Sequence, residues 1–319
     1  SSRWPWFFAI LVGVAGVVLS LSMWNVRRTA ESRALAEEFR MTSDNLAALA
    51  AQEIQTFMNV LVSIGQLHNL SDQLSEKDFN EFVTKGMVYP QQVLRGFGFA
   101  QRMDDFVRAV LETGDEAEAT RKFSIVERAE GGQFRPAARK EFYFPLTYQF
   151  PTNALDVPYG FDFGSGGESS DAILRMAAGG QMVFGGRVGR SGPDAFYIFA
   201  PILYSMINGV EIPAPGALVG FSVGIFEPDR IMAGVKQAGM DRGVRVELVS
   251  SEAGETPPAP LVQERFIPIA DQLWTIRCTA GPEYYATHGR HRPTMVLMIG
   301  LGLTALLTAG RISFSGIRP

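Results

Sequence analysis

The run FPLTYQFPTNALDVPYGFDFGSGGESSDAILRMAAGGQMVFGGRVGR (Phe144–Arg190), continued by FYIFAPIL (Phe196–Leu203), carries the information on architecture. It opens on strand-forming residues and passes through a turn rich in Pro, Asn, Asp and Gly. A helix follows. Ser165 and Glu168 fit a capping box ahead of DAILRMAA, and Gly179 and Gly180 supply a left-handed stop after it. MVFGGRV and FYIFAPIL then read as two strands separated by a gap of hairpin length. A parallel pair needs a crossover of a dozen or more residues between its strands, so the spacing predicts antiparallel pairing and an α+β class.

Working outward, VLRGFGFAQRM, FSIVERAE, ALVGFSVGIF, VRVELVS and QLWTIRCTA read as further strands, and DDFVRAVLETG and PDRIMAGVKQAG as helices. In QLWTIRCTA the residues Trp274, Ile276 and Cys278 alternate with Thr275, Arg277 and Thr279, which turns Cys278 to the core as an inert thiol. GETPPAPL, from Gly254, reads as an exposed loop. No sustained repeat is visible. The material suits two small antiparallel-sheet modules, 68–205 and 206–287.

Before them lies a helical pattern with almost no Gly or Pro. Its apolar positions Leu35, Phe39, Thr42, Leu46, Ala50, Ile54, Phe57, Leu61 and Ile64 are spaced by threes and fours, a near-heptad seam with a stutter around Ala50. This predicts a stalk helix over 26–67, roughly 60 Å long. Its first half is expected to pair with a second copy in a homodimer, and its Ile54–Ile64 half to dock on the chain's own modules. Ahead of it FFAILVGVAGVVLSLSMWN (Phe7–Asn25) is free of charge and flanked by Trp4, Trp6 and Trp24, as a membrane crossing over 5–25 would be. PTMVLMIGLGLTALLTAG (Pro293–Gly310), bordered by Arg290, Arg292 and Arg311, reads as a second crossing over 293–310. The tail 311–319 would then be cytoplasmic. The expectation is a two-pass protein of the plasma (bacterial inner) membrane with its central region outside the cytoplasm. Charge counts do not fix that orientation, because long loops translocate largely regardless of charge.

Of the 319 residues 46% are hydrophobic and 19% charged, which excludes a disordered chain. A net charge of −4 offers nothing to polyanions, so no nucleic-acid partner is expected. One cysteine excludes an intrachain disulfide and a cysteine zinc site. GFSVG (Gly220–Gly224) matches a nucleophile elbow, but its apolar pattern continues through Val223, Ile225 and Phe226, which places Ser222 inside a strand. His288 and His291 form H-x-x-H beside two arginines and read as a basic collar; His68 stands alone. GFGFA and VFGGRVG lack the Lys and spacing of a phosphate loop. No catalytic residue, metal site or cofactor is expected.

Asp162, between Phe161 and Phe163, is the remaining candidate. A carboxylate among aromatic walls could accept two hydrogen bonds from a ligand's N–H edge. Equally, it could brace the Gly164–Gly167 turn. The two readings stay open on the residues alone.

At these residues the chain resembles the CHASE family, the extracytoplasmic sensor of plant cytokinin receptors and many bacterial receptors. The resemblance is carried by FPLTYQFPTNALDVPYGFD, SSDAILRMAAGGQMVFGG and FYIFAPILY, with VLRGFGFAQRMD upstream and ALVGFSVGIFEPDRIM downstream, about Leu61 to Trp274 in all. It implies a long stalk helix followed by two PAS-like modules, membrane-distal (68–205) and membrane-proximal (206–287), with a small-molecule ligand in the distal one. By the same resemblance Asp162 matches the acidic residue that hydrogen-bonds an adenine-type ligand. Phe184 matches the position whose backbone completes that contact, and Phe161, Phe163, Phe196 and Ile198 would be walls. GSGG after Asp162 and GG after Phe184 are richer in glycine than the plant pattern, so cytokinin itself is not implied. Such domains usually precede a histidine kinase or diguanylate cyclase. Only RISFSGIRP follows Gly310 and the first residue is Ser, which suggests a fragment of a sensor whose output module lies elsewhere. The reading is a ligand sensor and not an enzyme. The alternatives are a membrane-tethered dimerising adaptor without a ligand, and a serine hydrolase resting on Ser222 alone.

Overall fold

One helix, α1 (Trp4–Leu70), is the spine on which the rest is assembled. A computed structural model describes residues 4–70, 79, 81, 95–113, 123–129, 132–151, 155–188, 194–203, 218–250, 261–288 and 298–306. With no proline past its first turn α1 runs roughly 100 Å. Its seam is buried from Phe39 onward, through Leu46, Ala50, Ile54, Phe57, Leu61 and Ile64. Docking therefore starts well before Ile54, the residue from which the seam was expected to dock. Burying each such side chain contributes about 1.5–3 kcal/mol, so the seam holds this half of α1 on the chain's own sheets.

The first sheet contains β1 (Phe97–Gln101), β6 (Leu146–Phe150), β7 (Val183–Arg187), β8 (Phe196–Leu203) and β9 (Leu218–Phe226), in the order β6-β1-β9-β8-β7 and antiparallel throughout. Strand β9 was expected in the second module, but it pairs with β1 and β8 at the centre of the first. Small ribbons flank this sheet: β2 (Met103–Asp104) pairs with β5 (Phe142–Tyr143), and β3 (Val126–Arg128) with β4 (Phe134–Pro136). Between β2 and β3 lies α2 (Asp105–Thr113), and between β6 and β7 lies α3 (Gly167–Gly179). Two short helices, α4 (Pro228–Ile231) and α5 (Ala233–Met240), lead to a second sheet of β10 (Val244–Ser250), β11 (Val262–Ile269) and β12 (Gln272–Ala280), in the order β10-β12-β11. Helix α6 (Pro282–His288) closes this part.

Alternation along the strands divides the first sheet's side chains into two layers. Phe97, Phe184, Ile198, Ala200 and Phe226 join the α1 seam, and Val246, Trp274, Ile276 and Cys278 of the second sheet enter the same core. Gly224 permits the close approach, because a Cβ there would sit 2.6 Å from Leu61 Cδ2. Ser222, beside it inside β9, is fully buried and donates its hydroxyl to the Leu61 carbonyl at 2.6 Å. The opposite face carries Leu146, Val183, Phe199, Phe221 and Val223, covered by Ile173 and Met176 of α3 and by Phe161 and Phe163 of the loop before it.

The α+β expectation with antiparallel pairing agrees with these sheets; the expected membrane crossings do not hold. No helix among the described residues is long and apolar enough to cross a membrane. In α1 the charge-free stretch ends at Asn25. The helix then continues unbroken through Arg27, Arg28, Glu31 and Arg33. A C-terminal helix is described over 298–306. The two-pass inner-membrane location rested on those crossings and falls with them. Near its start α1 packs on that C-terminal helix: a Cβ at Gly16 would lie 2.7 Å from Thr304, and one at Gly300 2.5 Å from Ser20. The side chains of residues 5–10, 12 and His68 lie outside the described residues, as do residues 251–260, His291, 293–297 and 307–319.

Candidate functional site

A cleft of about 550 Å³ opens on the face of the first sheet that α1 does not cover. Its floor is the turn Ser165–Gly167 and the first turn of α3. The turn depends on glycine: Gly166 and Gly167 have φ of +126° and +70°, which residues with a Cβ rarely adopt. The expected capping box is not formed. Phe163–Ser165 is a 3₁₀ turn in which the Ser165 amide bonds the Asp162 carbonyl, so Gly166 takes the N-cap position and α3 has no side-chain cap. The expected stop is seen: Gly180, at φ +61°, donates its amide to the Met176 carbonyl.

One wall is the C-terminal part of β7. Pairing with β8 shifts register between Phe184 and Arg187, and the bulge points Gly185, Gly186 and Arg187 at the cleft. Ser169 Oγ donates to the Gly185 carbonyl at 2.8 Å and joins this wall to the floor. The other wall is aromatic and basic. Phe134, Phe161, Phe163 and Tyr197 follow one another edge to face at 5.8, 5.1 and 5.7 Å, and the Arg128 guanidinium lies 5.2 Å over the Phe134 ring. Arg187 pairs with Asp194 and rests over Phe196. Among the charged side chains that line the cleft are two arginines, Arg128 and Arg187, and one carboxylate, Glu168. The Tyr197 hydroxyl donates to the Leu155 carbonyl, and burial pushes its phenol up.

Beneath the floor Asp162 is fully buried. Its Oδ2 accepts from Lys140 Nζ at 2.7 Å; its Oδ1 accepts from the Phe144 and Gly164 amides at 2.8 and 2.9 Å. Lys140 also donates to the Gly164 carbonyl at 3.1 Å. Bracing of the glycine turn, one of the two readings open on the sequence, is what this carboxylate does in the structure. Beside it Glu127 accepts from Arg135 Nε at 2.9 Å and from the Ala138 amide at 3.2 Å. Burial works to raise its carboxyl, but those donors outweigh it and hold it below the ordinary value.

The six residues named from the sequence do not converge. Phe161 lines the cleft and Phe163 packs directly behind it. Phe184, Phe196 and Ile198 lie in or against the layer shared with α1 and the second sheet, where Phe184 stacks on Trp274 at 5.7 Å. The cause is the two-residue period of a strand: along FYIF it is Tyr197 and Phe199 that face the cleft side. Sequence reasoning passed over Arg128, Glu168, Arg187 and Tyr197. Strict alternation would have pointed to Tyr197, whereas the arginines carry no local signal. Elsewhere, His288 stacks on Tyr284 at 4.2 Å and lies 3.7 Å from Glu38.

The CHASE domain model matches residues 72–261. No curated protein matches the sequence. Among solved structures the chain is similar to the ligand-binding domain of the Pseudomonas aeruginosa PAO1 amino acid chemoreceptor PctC, in complex with GABA, at 14% identity. That match covers 77% of this chain and 98% of the other, with a TM-score of 0.41. PctB from the same organism, in complex with L-Arg, matches at 11% identity over 84% of this chain and 99% of that one, TM-score 0.44. An extracellular ligand binding receptor from Desulfohalobium retbaense matches at 10% identity over 76% of this chain and 40% of the receptor, TM-score 0.46.

Proposed function

The chain belongs to the CHASE domain family of sensory domains, and we propose that it senses a small molecule bearing an anionic group, held in the cleft over the start of α3. The observation that carries this reading is the cleft itself. Its volume of about 550 Å³ falls in the range of small-ligand pockets. Phe161 and Tyr197 offer an apolar wall, and Arg128 and Arg187 face the uncapped first turn of α3 across a glycine floor. A guanidinium can grip a carboxylate or phosphate by two parallel bonds, and the positive end of a helix favours the same charge. Asp162 serves this site from below by fixing the floor through Gly164.

Calorimetry and thermal shift with benzoate, phenylacetate and succinate, against the neutral benzamide and phenylacetamide, test the reading. An acid should bind and raise the melting temperature while its amide does not, and Arg128→Ala and Arg187→Ala should each weaken binding on the order of tenfold or more. Amides binding as well as acids, or arginine variants binding like the parent, would overturn it.

A further inference from the structure

The edge of the first sheet is held by the second at the point where the cleft wall begins. Strand β7 is an edge strand, so the outward N–H and C=O of Phe184 have no neighbouring strand to bond. An ion pair takes that strand's place. Asp271, at the tip of the β11–β12 hairpin, accepts from the Phe184 amide at 2.8 Å, and Arg175 of α3 donates to the Phe184 carbonyl at 3.1 Å. Arg175 Nε and Asp271 Oδ2 are themselves 3.1 Å apart. The Phe184 ring is stacked on Trp274 of β12. Main chain and side chain of one residue are thus both tied to the second sheet.

The next residues are Gly185, Gly186 and Arg187, which line the cleft. The β8 ladder lapses there, so their position depends on what fixes Phe184 in front of them and on Ser169 behind. We infer that Asp271 is a positioning residue of the cleft: from the second sheet it sets where the Gly185–Arg187 wall stands, and so couples that sheet to the contents of the cleft. The coupling to ligand rests on the proposed site; the hold on the wall does not. Coupling of this kind is reciprocal: an occupant that prefers one wall position must bias the hairpin by the same factor.

Amide hydrogen exchange on the full chain separates the two. Asp271→Ala should speed exchange at Phe184–Arg187 on the order of tenfold while β10 and β12 keep their protection, whereas Asp271→Asn, which retains an acceptor for the Phe184 amide, should restore most of it. Benzoate affinity, measured by calorimetry, should fall in the Ala variant and largely return in the Asn variant. Unchanged exchange at 184–187, or a uniform rise throughout the chain, overturns the inference. So does a loosened wall with benzoate affinity intact. A parent chain that binds neither benzoate nor the other acids defeats the anionic-ligand reading, while the exchange result still decides whether Asp271 holds the wall.

Discussion

Replacing Asp162 by alanine should cost folding stability before it costs anything else. The carboxylate has no exposure to solvent and accepts three hydrogen bonds, from Lys140 Nζ at 2.7 Å and from the Phe144 and Gly164 amides at 2.8 and 2.9 Å. Removing one partner of a buried ion pair typically costs about 3–5 kcal/mol, because the remaining charge loses its compensation. Lys140 retains 27% side-chain exposure and can partly rehydrate, which moves the cost to the lower end of that range. The two amides hold it there, since a stranded buried donor costs about 1–3 kcal/mol. The expected loss for Asp162→Ala is therefore about 3 kcal/mol. Asp162→Asn keeps an oxygen for the two amides but turns an NH2 donor toward Lys140, whose partly exposed ammonium keeps the Gly164 carbonyl and can turn to solvent, so about half that loss is expected. Urea unfolding followed by far-ultraviolet circular dichroism measures both, as a lower midpoint at unchanged slope. A loss below about 1 kcal/mol in the alanine variant, or an asparagine variant as damaged as the alanine one, would refute the bracing role.

Two further outcomes follow from buried groups. Glu127 is held below its ordinary value of 4.5 by Ala138 and Arg135 against the effect of burial, so it contributes stability above the unfolded-state value. That contribution is lost as pH falls through the lower folded-state value; the urea midpoint should decline below about pH 4.5, and Glu127→Gln should flatten that limb. Cys278 is buried and its thiol is pushed up to about 11 by burial, so iodoacetamide at pH 8 should leave the folded chain unmodified and label it once unfolded; rapid labelling of the native chain would contradict the core position.

Where one local rule governed an element, the sequence reading located it closely. VRVELVS and QLWTIRCTA are strands β10 and β12 residue for residue, because apolar and polar residues alternate along most of each sequence. Ser222 reads correctly as a strand residue because the apolar run continues past it, in a strand buried on both faces. Strand β11 escaped notice: VQERFIPI alternates poorly and contains Pro268, which suits the edge position it occupies. The start of α3 was misjudged by one residue, since Ser165 is drawn into the 3₁₀ turn that Asp162 caps. At the site the difficulty was of another kind. The walls are those the family resemblance implies, but neighbouring strand residues face opposite sides, and Phe184 and Phe196 lie on the α1 side. Arg128 reaches the cleft from the β3–β4 ribbon, a contact that no window around Asp162 contains.

The same alternation explains why the cleft lies where it does. On the α1 side, small residues such as Ser222 and Gly224 let Phe57 and Leu61 seat directly on the strands, leaving no room for an occupant. On the other side Phe199 and Phe221 fill the centre of the sheet, 4.7 Å apart, and the cleft opens toward the β7 edge, where Gly185 and Gly186 remove side chains from the wall. This edge, with two glycines and a broken ladder, takes support from Asp271 and Trp274 of the second sheet. Gly185 and Gly186 leave their space to the Phe199 ring and the Glu168 carboxylate, and Gly185→Ala would collide with that ring and push the wall away from the support of the second sheet.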